Sequence, residues 1–213
     1  TWMSNVAAAA TPETPEAREP RLATYQRWLR ETRGLSFASY DALWQWSVTD
    51  LAGFWSSIWD FFDLQSPTPW RTVLEAPVMP GARWFPGAQA NYVHQVLRHA
   101  DAAHAAGFPA VISRNEKGVH RELSWPELRR QVAALALHLQ AQGVRPGDRV
   151  AAYLPNTPET MVAFLAVVAI GGVWSICAPD MGTNAVLDRF RQIEPVVLIA
   201  CDGVTYGGRD FDR

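Results

Sequence analysis

This 213-residue sequence contains very little lysine and carries a small net charge. Arginine supplies all but one of the 19 basic residues, and the 21 acidic residues leave a formal charge of −2. Binding to nucleic acid or to an anionic membrane surface relies on many basic side chains on one face, so this balance argues against both partners. The single lysine, Lys117, stands in a turn-like stretch between Asn115 and Gly118. It is therefore the one candidate in this sequence for chemistry that needs a lysine.

Cysteine is scarce as well. Cys177 and Cys201 each lie in an apolar run, VWSIC and VVLIAC, where a free cysteine usually behaves as a small buried hydrophobic residue. Two widely separated cysteines do not form a disulfide framework and cannot make a zinc site by themselves. This usage predicts a cytoplasmic protein.

The sequence has no secretory signal and one long uncharged run. Residues 1–20 are rich in Ala, Thr, Pro and Glu and lack the basic start and apolar core of a signal peptide. Met161–Ala178 carries no charge over 18 residues, which is long enough for a membrane-spanning helix. Gly171 and Gly172 interrupt this run, and Val173–Cys177 is typical of a strand. A buried helix followed by a buried strand is the preferred interpretation, with a membrane span as the alternative.

Common motifs of enzyme chemistry are absent. The nucleotide-binding patterns GxxxxGK[ST] and GxGxxG do not occur, which disfavours a dinucleotide-binding oxidoreductase. The GxSxG pattern of α/β-hydrolases is also missing. His94, His99 and His104 recur at five-residue steps, which rotate successive side chains by about 140° on a helix and prevent a shared ligand face. The sequence therefore predicts no metal site.

Aromatic residues are concentrated between Tyr25 and Leu97. The helical spacing is clearest in FWSSIWDFF, where large apolar residues recur at three- and four-residue steps and so are predicted to share one helix face. The preferred interpretation is a face that packs on a larger body, and an aromatic ligand cage is the alternative. The residues of this predicted face are Phe54, Trp55, Ile58, Trp59 and Phe62.

From about Ala110 onward, strand and helix patterns alternate. Ala110–Arg114 and Val119–Leu123 flank a turn and predict a hairpin. Later strands are apolar throughout and alternate with helices, which is typical of a parallel sheet covered on both faces, so the fold class is α/β. The later predicted elements are a helix from the capping box Ser124–Glu127 to Gly143, a strand Arg149–Leu154, a helix from the cap Thr157 and Pro158 to about Ile170, a strand Val173–Cys177, a helix Asn184–Glu194 and a strand Val196–Ala200.

One stretch carries a specific family resemblance. Met79–Ala88, MPGARWFPGA, closely resembles the start of acetoacetyl-CoA synthetases, members of the adenylate-forming acyl-CoA synthetase superfamily. The upstream FWSSIWDFF resembles the N-terminal cap of that family. The likeness continues through PGDRVAAYLPN, GVWS and VLDRF and covers about residues 40–213. PGDRV occurs widely in the superfamily, whereas MPGARWFPGA separates this chain from the similar acetyl-CoA and propionyl-CoA synthetases.

The resemblance implies a domain organisation. It places a flexible leader at residues 1–24 and a helical, aromatic-rich cap segment at residues 25–105. Residues 106–213 would then begin the large AMP-binding, adenylate-forming domain of parallel β/α units.

The resemblance also implies an acid–thiol ligase. In such enzymes a carboxylate attacks the α-phosphate of ATP to give an acyl-adenylate, and the CoA thiol then displaces AMP. The implied substrates are acetoacetate, ATP and CoA, with Mg²⁺ as cofactor. The family's phosphate loop, Mg²⁺ ion and catalytic lysine have no counterpart in residues 1–213, so this chain is predicted to be an N-terminal fragment without catalytic residues and inactive by itself.

Two residues near the end of the chain are candidate CoA contacts by resemblance. In related acetyl-CoA synthetases, the stretch that matches Gly203–Arg209 carries two arginines three residues apart that contact CoA phosphates. Arg209 matches the second arginine, and Tyr206 replaces the first. A guanidinium can hold a phosphate by two hydrogen bonds, whereas a phenol offers one. The alternative is a plain solvated arginine. Ala178–Gly182 matches a glycine-rich loop that lies near the pantetheine in the related enzymes.

Two alternative functions stay open at this point. One is a fragment of an acetyl- or propionyl-CoA synthetase. The other is a non-catalytic binding or interaction module that uses the aromatic face around Trp55 and Trp59. In either case a parallel sheet that stops after three strands leaves an open edge and uncovered apolar surface, so the chain by itself is predicted to be prone to aggregation.

Overall fold

Residues 19–212, the part of the chain that this computed structural model describes, divide into two compact units. One unit combines the described residues up to Leu64 with Pro69–Gly87, and the other combines Gln65–Thr68 with the described residues from Ala88 onward. Residues 1–18 of the predicted leader lie outside the described residues, and the first helix begins at Arg21. The boundary predicted between residues 105 and 106 stays a prediction.

The first unit is helical and aromatic. Tyr25, Leu29 and Leu43 form its buried centre. The Tyr25 hydroxyl lies 2.5 Å from the hydroxyl of the buried Ser57, which joins the first helix to the third, and burial raises the pKa of Tyr25 above its usual value. The elements are α1 Arg21–Trp28, a π-helical turn Leu29–Arg33, α2 Tyr40–Thr49, α3 Leu51–Phe61 and the short antiparallel strands β1 Leu74–Ala76 and β2 Arg83–Trp84.

The apolar side chains of α3 occupy two neighbouring faces. Phe54, Ile58 and Phe61 pack on the buried centre of the unit. Since successive helical residues are rotated by about 100°, Trp55 and Trp59 lie to the side of that face. The prediction of one shared face was therefore wrong: the spacing was helical, but it spanned too wide an arc to contact a single surface.

The second face of α3 is covered by the stretch MPGARWFPGA. The rings of Trp55 and Trp84 contact each other edge to face, with centroids 5.8 Å apart. Trp59 and Phe85 have centroids 4.7 Å apart. The unit therefore covers part of this aromatic surface with its own residues, while Trp55 stays 41% and Trp84 40% exposed.

The second unit has mixed helix and strand structure. Its longest helix has 17 residues and is packed against the next helix and the central strand of the sheet. The elements are α4 Tyr92–Leu97, α5 Ala100–Ala105, β3 Val111–Arg114, β4 His120–Leu123, α6 Trp125–Ala141, β5 Arg149–Tyr153, α7 Pro158–Ala169, β6 Val173–Cys177, α8 Thr183–Ile193, β7 Val197–Ala200, β8 Gly203–Tyr206 and β9 Arg209–Asp212.

The sheet of the second unit has the order β6-β5-β7 and is parallel throughout, which confirms the predicted α/β class. Val150 on the central strand packs with α6 and α7 on one face. The next residue, Ala151, packs with Val186 and Phe190 of α8 on the other face, because successive side chains of a strand point to opposite sides. Helices thus lie on both faces, as predicted, but α8 leaves Leu198 of β7 56% exposed.

The helix caps predicted from the sequence are only partly formed. The Ser124 hydroxyl accepts a hydrogen bond from the backbone N–H of Glu127 at 3.4 Å. The Glu127 carboxylate accepts hydrogen bonds from Arg130 and Gln131 instead of completing the capping box. These contacts lower the pKa of Glu127 to about 2. Thr157 occupies the N-cap position of α7, but its side chain makes no capping hydrogen bond there.

Glycines divide the long uncharged run into a helix and a strand. Gly171 has a φ of +78° and follows α7, and Gly172 lies so close to Val167 that an added Cβ would meet its side chain at 2.8 Å. This close approach lets the chain turn directly from α7 into β6, as the preferred interpretation requires. Within residues 19–212, no helix has the length and apolar character needed to cross a membrane.

Candidate functional site

The strand order places a crevice beside the central strand. The β5–α7–β6 connection runs to one side of β5, whereas the β6–α8–β7 connection returns to the other side. The two helices lie on opposite faces of the sheet, and the order in which strands are added reverses between β5 and β7. In open α/β sheets, ligands bind outside the carboxyl ends of the strands at such a reversal.

A cleft of about 720 Å³ lies at this position. Pro155, Asn156 and Thr157 follow β5 and line one side, and Asp202 follows β7 and lines another. The remaining walls come from the β3 end and from the β8–β9 hairpin. This cleft was not predicted from the sequence, because the pairing order of strands cannot be identified from a single chain, although the polar residues directly after the apolar strands are visible there.

The β8–β9 hairpin carries both predicted CoA contacts. Tyr206 and Arg209 are register partners across a two-residue turn. The turn residues Gly207 and Gly208 have φ values of +59° and +74°, the left-handed conformations that a tight hairpin turn requires. The structure therefore brings Tyr206 and Arg209 together. Tyr206 lines the cleft, whereas Arg209 is exposed and is not among the lining residues.

The tip of this hairpin is attached to the turn of the β3–β4 hairpin. The Lys117 ammonium group lies 2.7 and 2.8 Å from the two carboxylate oxygens of Asp210. The backbone N–H of Gly208 donates to the Glu116 carboxylate at 2.8 Å. The Thr205 hydroxyl also donates to Asp210, at 2.7 Å. The contact of Lys117 holds the pKa of the Asp210 carboxyl below its usual value.

Carboxylates outnumber cations around the cleft. Glu116, Asp202, Asp210 and Asp212 line it together with one arginine, Arg114. This balance suits hydroxyl and amide donors better than a phosphate. Among the described residues, no three His, Cys, Asp or Glu side chains are placed to hold a metal ion.

The loop after β6 is attached to the end of β5. The Tyr153 hydroxyl lies 2.6 Å from the carbonyl oxygen of Pro179 and 3.1 Å from that of Met181. Cys177, the last residue of β6, is buried and free, and Cys201 is free and partly exposed. The loop Ala178–Gly182 therefore begins at the carboxyl edge of the sheet, on the far side of β5 from β7.

Known proteins with similar sequences cover both units. The family model described as AMP-binding enzyme matches residues 97–210, and that described as acetyl-coenzyme A synthetase N-terminus matches residues 40–96. Acetoacetyl-coenzyme A synthetase of Rhizobium meliloti is 40% identical over 90% of this chain and 29% of its own length. Acetoacetyl-CoA synthetase of Rattus norvegicus is 36% identical over 83% of this chain and 26% of its own length.

A solved structure is also similar. Acetoacetyl-CoA synthetase from Streptomyces lividans matches 91% of this chain and 30% of its own chain, with 48% identity and a TM-score of 0.84. The chain thus spans less than a third of the length of these relatives. The resemblance to acetoacetyl-CoA synthetases is confirmed, and because the AMP-binding model covers more than half of the residues, the chain belongs to the AMP-binding enzyme family.

Proposed function

We propose that this chain is part of an ATP-dependent ligase that forms acetoacetyl-CoA from acetoacetate and CoA through an acyl-adenylate. The observation that carries the proposal is the 48% identity and TM-score of 0.84 with an acetoacetyl-CoA synthetase over 91% of the chain. The stretch MPGARWFPGA supports it further, since it resembles the start of acetoacetyl-CoA synthetases. Acetoacetate, ATP and CoA are the proposed substrates, Mg²⁺ is the proposed cofactor, and the cytoplasm is the proposed location.

The proposal assigns a limited part of this reaction to residues 1–213. The acyl-adenylate step needs cations and N–H donors around the phosphates of ATP, where charge develops. We assign that machinery, with Mg²⁺, to the remainder of the full-length ligase, meaning the complete polypeptide that contains this chain. Residues 25–105 are proposed as its cap segment and residues 106–213 as the start of its AMP-binding domain. The chain by itself is then expected to be inactive.

The contribution of this chain is proposed to be one edge of the CoA site. Arg209 is exposed beside the cleft, where its guanidinium is able to hold a CoA phosphate with two hydrogen bonds. Tyr206 lines the cleft and adds one hydrogen bond or a flat ring surface. The carboxylates that line the cleft disfavour phosphate there, so the CoA phosphate held by Arg209 is proposed to lie outside the lining residues.

The first prediction concerns the acyl substrate. The full-length ligase is expected to use acetoacetate with a kcat/KM at least about a hundredfold above that for acetate. A buried polar site that hydrogen-bonds a substrate carbonyl discriminates strongly against an analogue that lacks it. The measurement is CoA thioester formation with each acid under identical ATP and CoA concentrations, with propionate as a further competitor.

Comparable use of acetate or propionate would replace the proposal by its first alternative. A relative from Penicillium aethiopicum, described as a malonamoyl-CoA synthetase, is 33% identical over 83% of this chain. Similarity in this region therefore extends to a ligase with a different acyl group. The substrate assay is needed for that reason.

The second prediction concerns CoA. Arg209→Ala in the full-length ligase is expected to raise KM for CoA about tenfold, because a charge-assisted contact to phosphate is lost at an exposed site. Acetoacetate-dependent exchange of pyrophosphate into ATP, which does not involve CoA, is expected to be unchanged. Arg191→Ala is the matched control, since Arg191 is an exposed arginine of α8 that does not line the cleft. An unchanged KM for CoA in Arg209→Ala would refute the assigned contact.

A further inference from the structure

The tips of two hairpins that are far apart in sequence meet beside the candidate site. We propose that Lys117 and Glu116 are positioning residues, which hold the β8–β9 hairpin so that Arg209 faces an incoming CoA phosphate. This inference rests on the proposed function. Neither residue contacts CoA in this scheme; both act through the hairpin.

The two contacts fix different parts of the hairpin. Lys117 contacts both oxygens of Asp210, the residue next to Arg209, at 2.7 and 2.8 Å. Glu116 accepts from the backbone N–H of Gly208, in the turn itself, at 2.8 Å. One contact therefore restrains strand β9 and the other restrains the turn. Together they limit both rotation and displacement of the tip.

The hairpin needs such restraint. An isolated two-stranded hairpin is at best marginally stable in water. β9 is exposed along its whole length, and the first three residues of β8 are only partly buried. The Gly207–Gly208 turn adds conformational freedom, since glycine restricts the backbone least. Ordering Arg209 on CoA binding would otherwise cost conformational entropy and weaken affinity.

The β3–β4 hairpin provides a fixed base for these contacts. Asn115 Oδ1 accepts a hydrogen bond from the backbone N–H of Val119 at 2.9 Å, which closes the turn. On β4, the Arg121 guanidinium lies 2.6 Å from the carboxylate of Glu159 in the first turn of α7. The restraint on Arg209 therefore extends to a helix packed on the central sheet.

The test uses the full-length ligase with Lys117→Met, Glu116→Ala and the double variant. Each single variant is expected to raise KM for CoA about threefold to tenfold, as loss of an exposed charged contact allows. Pyrophosphate exchange is expected to stay unchanged, because the adenylate step precedes CoA. Lys117→Arg, which keeps the charge, is expected to restore most of the CoA affinity. Asp210→Asn is expected to add little to the effect of Lys117→Met, since both remove the same pair.

A matched control is Arg129→Met. Arg129 lies 2.7 Å from Asp101 in an exposed ion pair on α6 and α5 of the same unit, and its loss is expected to leave KM for CoA unchanged. The inference would be overturned by an unchanged KM in Lys117→Met and Glu116→Ala while Arg209→Ala raises KM; the proposed CoA contact would then stand alone. Equal losses of pyrophosphate exchange and CoA affinity would indicate a general folding defect and would also overturn it. If Arg209→Ala has no effect either, both the contact and its positioning are refuted.

Discussion

Leu165→Ala is expected to lower the free energy of unfolding of the second unit by about 2–5 kcal/mol. Leu165 lies on α7 and is 2% exposed, within the core that joins α6, α7 and β5. Removing its side chain loses apolar burial and leaves a cavity that packed helices fill only in part. The measurement is pulse proteolysis across a urea series, at chain concentrations low enough to avoid association.

The control for this substitution is Leu137→Ala. Leu137 lies on α6 and is 66% exposed, so the same chemical change there is expected to alter stability by no more than about 0.5 kcal/mol. Equal effects of the two substitutions would show that α7 does not pack on the sheet as described.

The 213-residue chain expressed by itself is expected to associate rather than remain monomeric. In the described part of the chain, β6 and β7 each have one neighbour, so both leave backbone groups unpaired at their outer edges. Apolar side chains are exposed at the β7 edge, where Val196 is 54% and Leu198 is 56% exposed. Free strand edges flanked by apolar surface favour pairing with other chains. Light scattering after size-exclusion chromatography measures the outcome.

Charge on the β7 edge is expected to suppress this association. Val196→Lys with Leu198→Lys should shift the chain toward monomer, because lysine on an edge strand opposes pairing. Leu137→Lys, an equally exposed position on α6 away from the sheet edge, should have a much smaller effect. A monodisperse wild-type monomer with a sharp thermal transition would contradict the prediction.

Local sequence patterns predicted the elements between Val111 and Ala200 well, whereas α4, α5 and the β8–β9 hairpin were not predicted. The turn Asn115–Gly118, the cap at Ser124 and Pro158 in the first turn of α7 each depend on residues that are close in sequence, so they are visible there. Alternation of apolar strands with helices also predicted the parallel sheet. These features are set by backbone geometry that needs no distant partner.

The features that the sequence did not reveal depend on distant partners. The two faces of α3 became distinct only because Trp84 and Phe85 pack beside Trp55 and Trp59. To predict the cleft, one would have to know that β7 pairs with the edge of β5 that β6 leaves free.

Lys117 was singled out because it is the only lysine, but its contact with Asp210 joins residues 93 positions apart. The CoA contact assigned to Arg209 came from family resemblance, and it stays a proposal until the kinetic tests are made.

The central position of β5 also affects how this region is built during translation. Since β5 precedes both of its neighbours in the chain, it emerges from the ribosome before either of them. β6 then follows after one helix and adds to one side, and β7 follows after a second helix and adds to the other. Neither strand has to be inserted between two that are already paired, so the sheet is able to grow outward in the order of synthesis, with sequence-local pairing formed before the longer-range pairing.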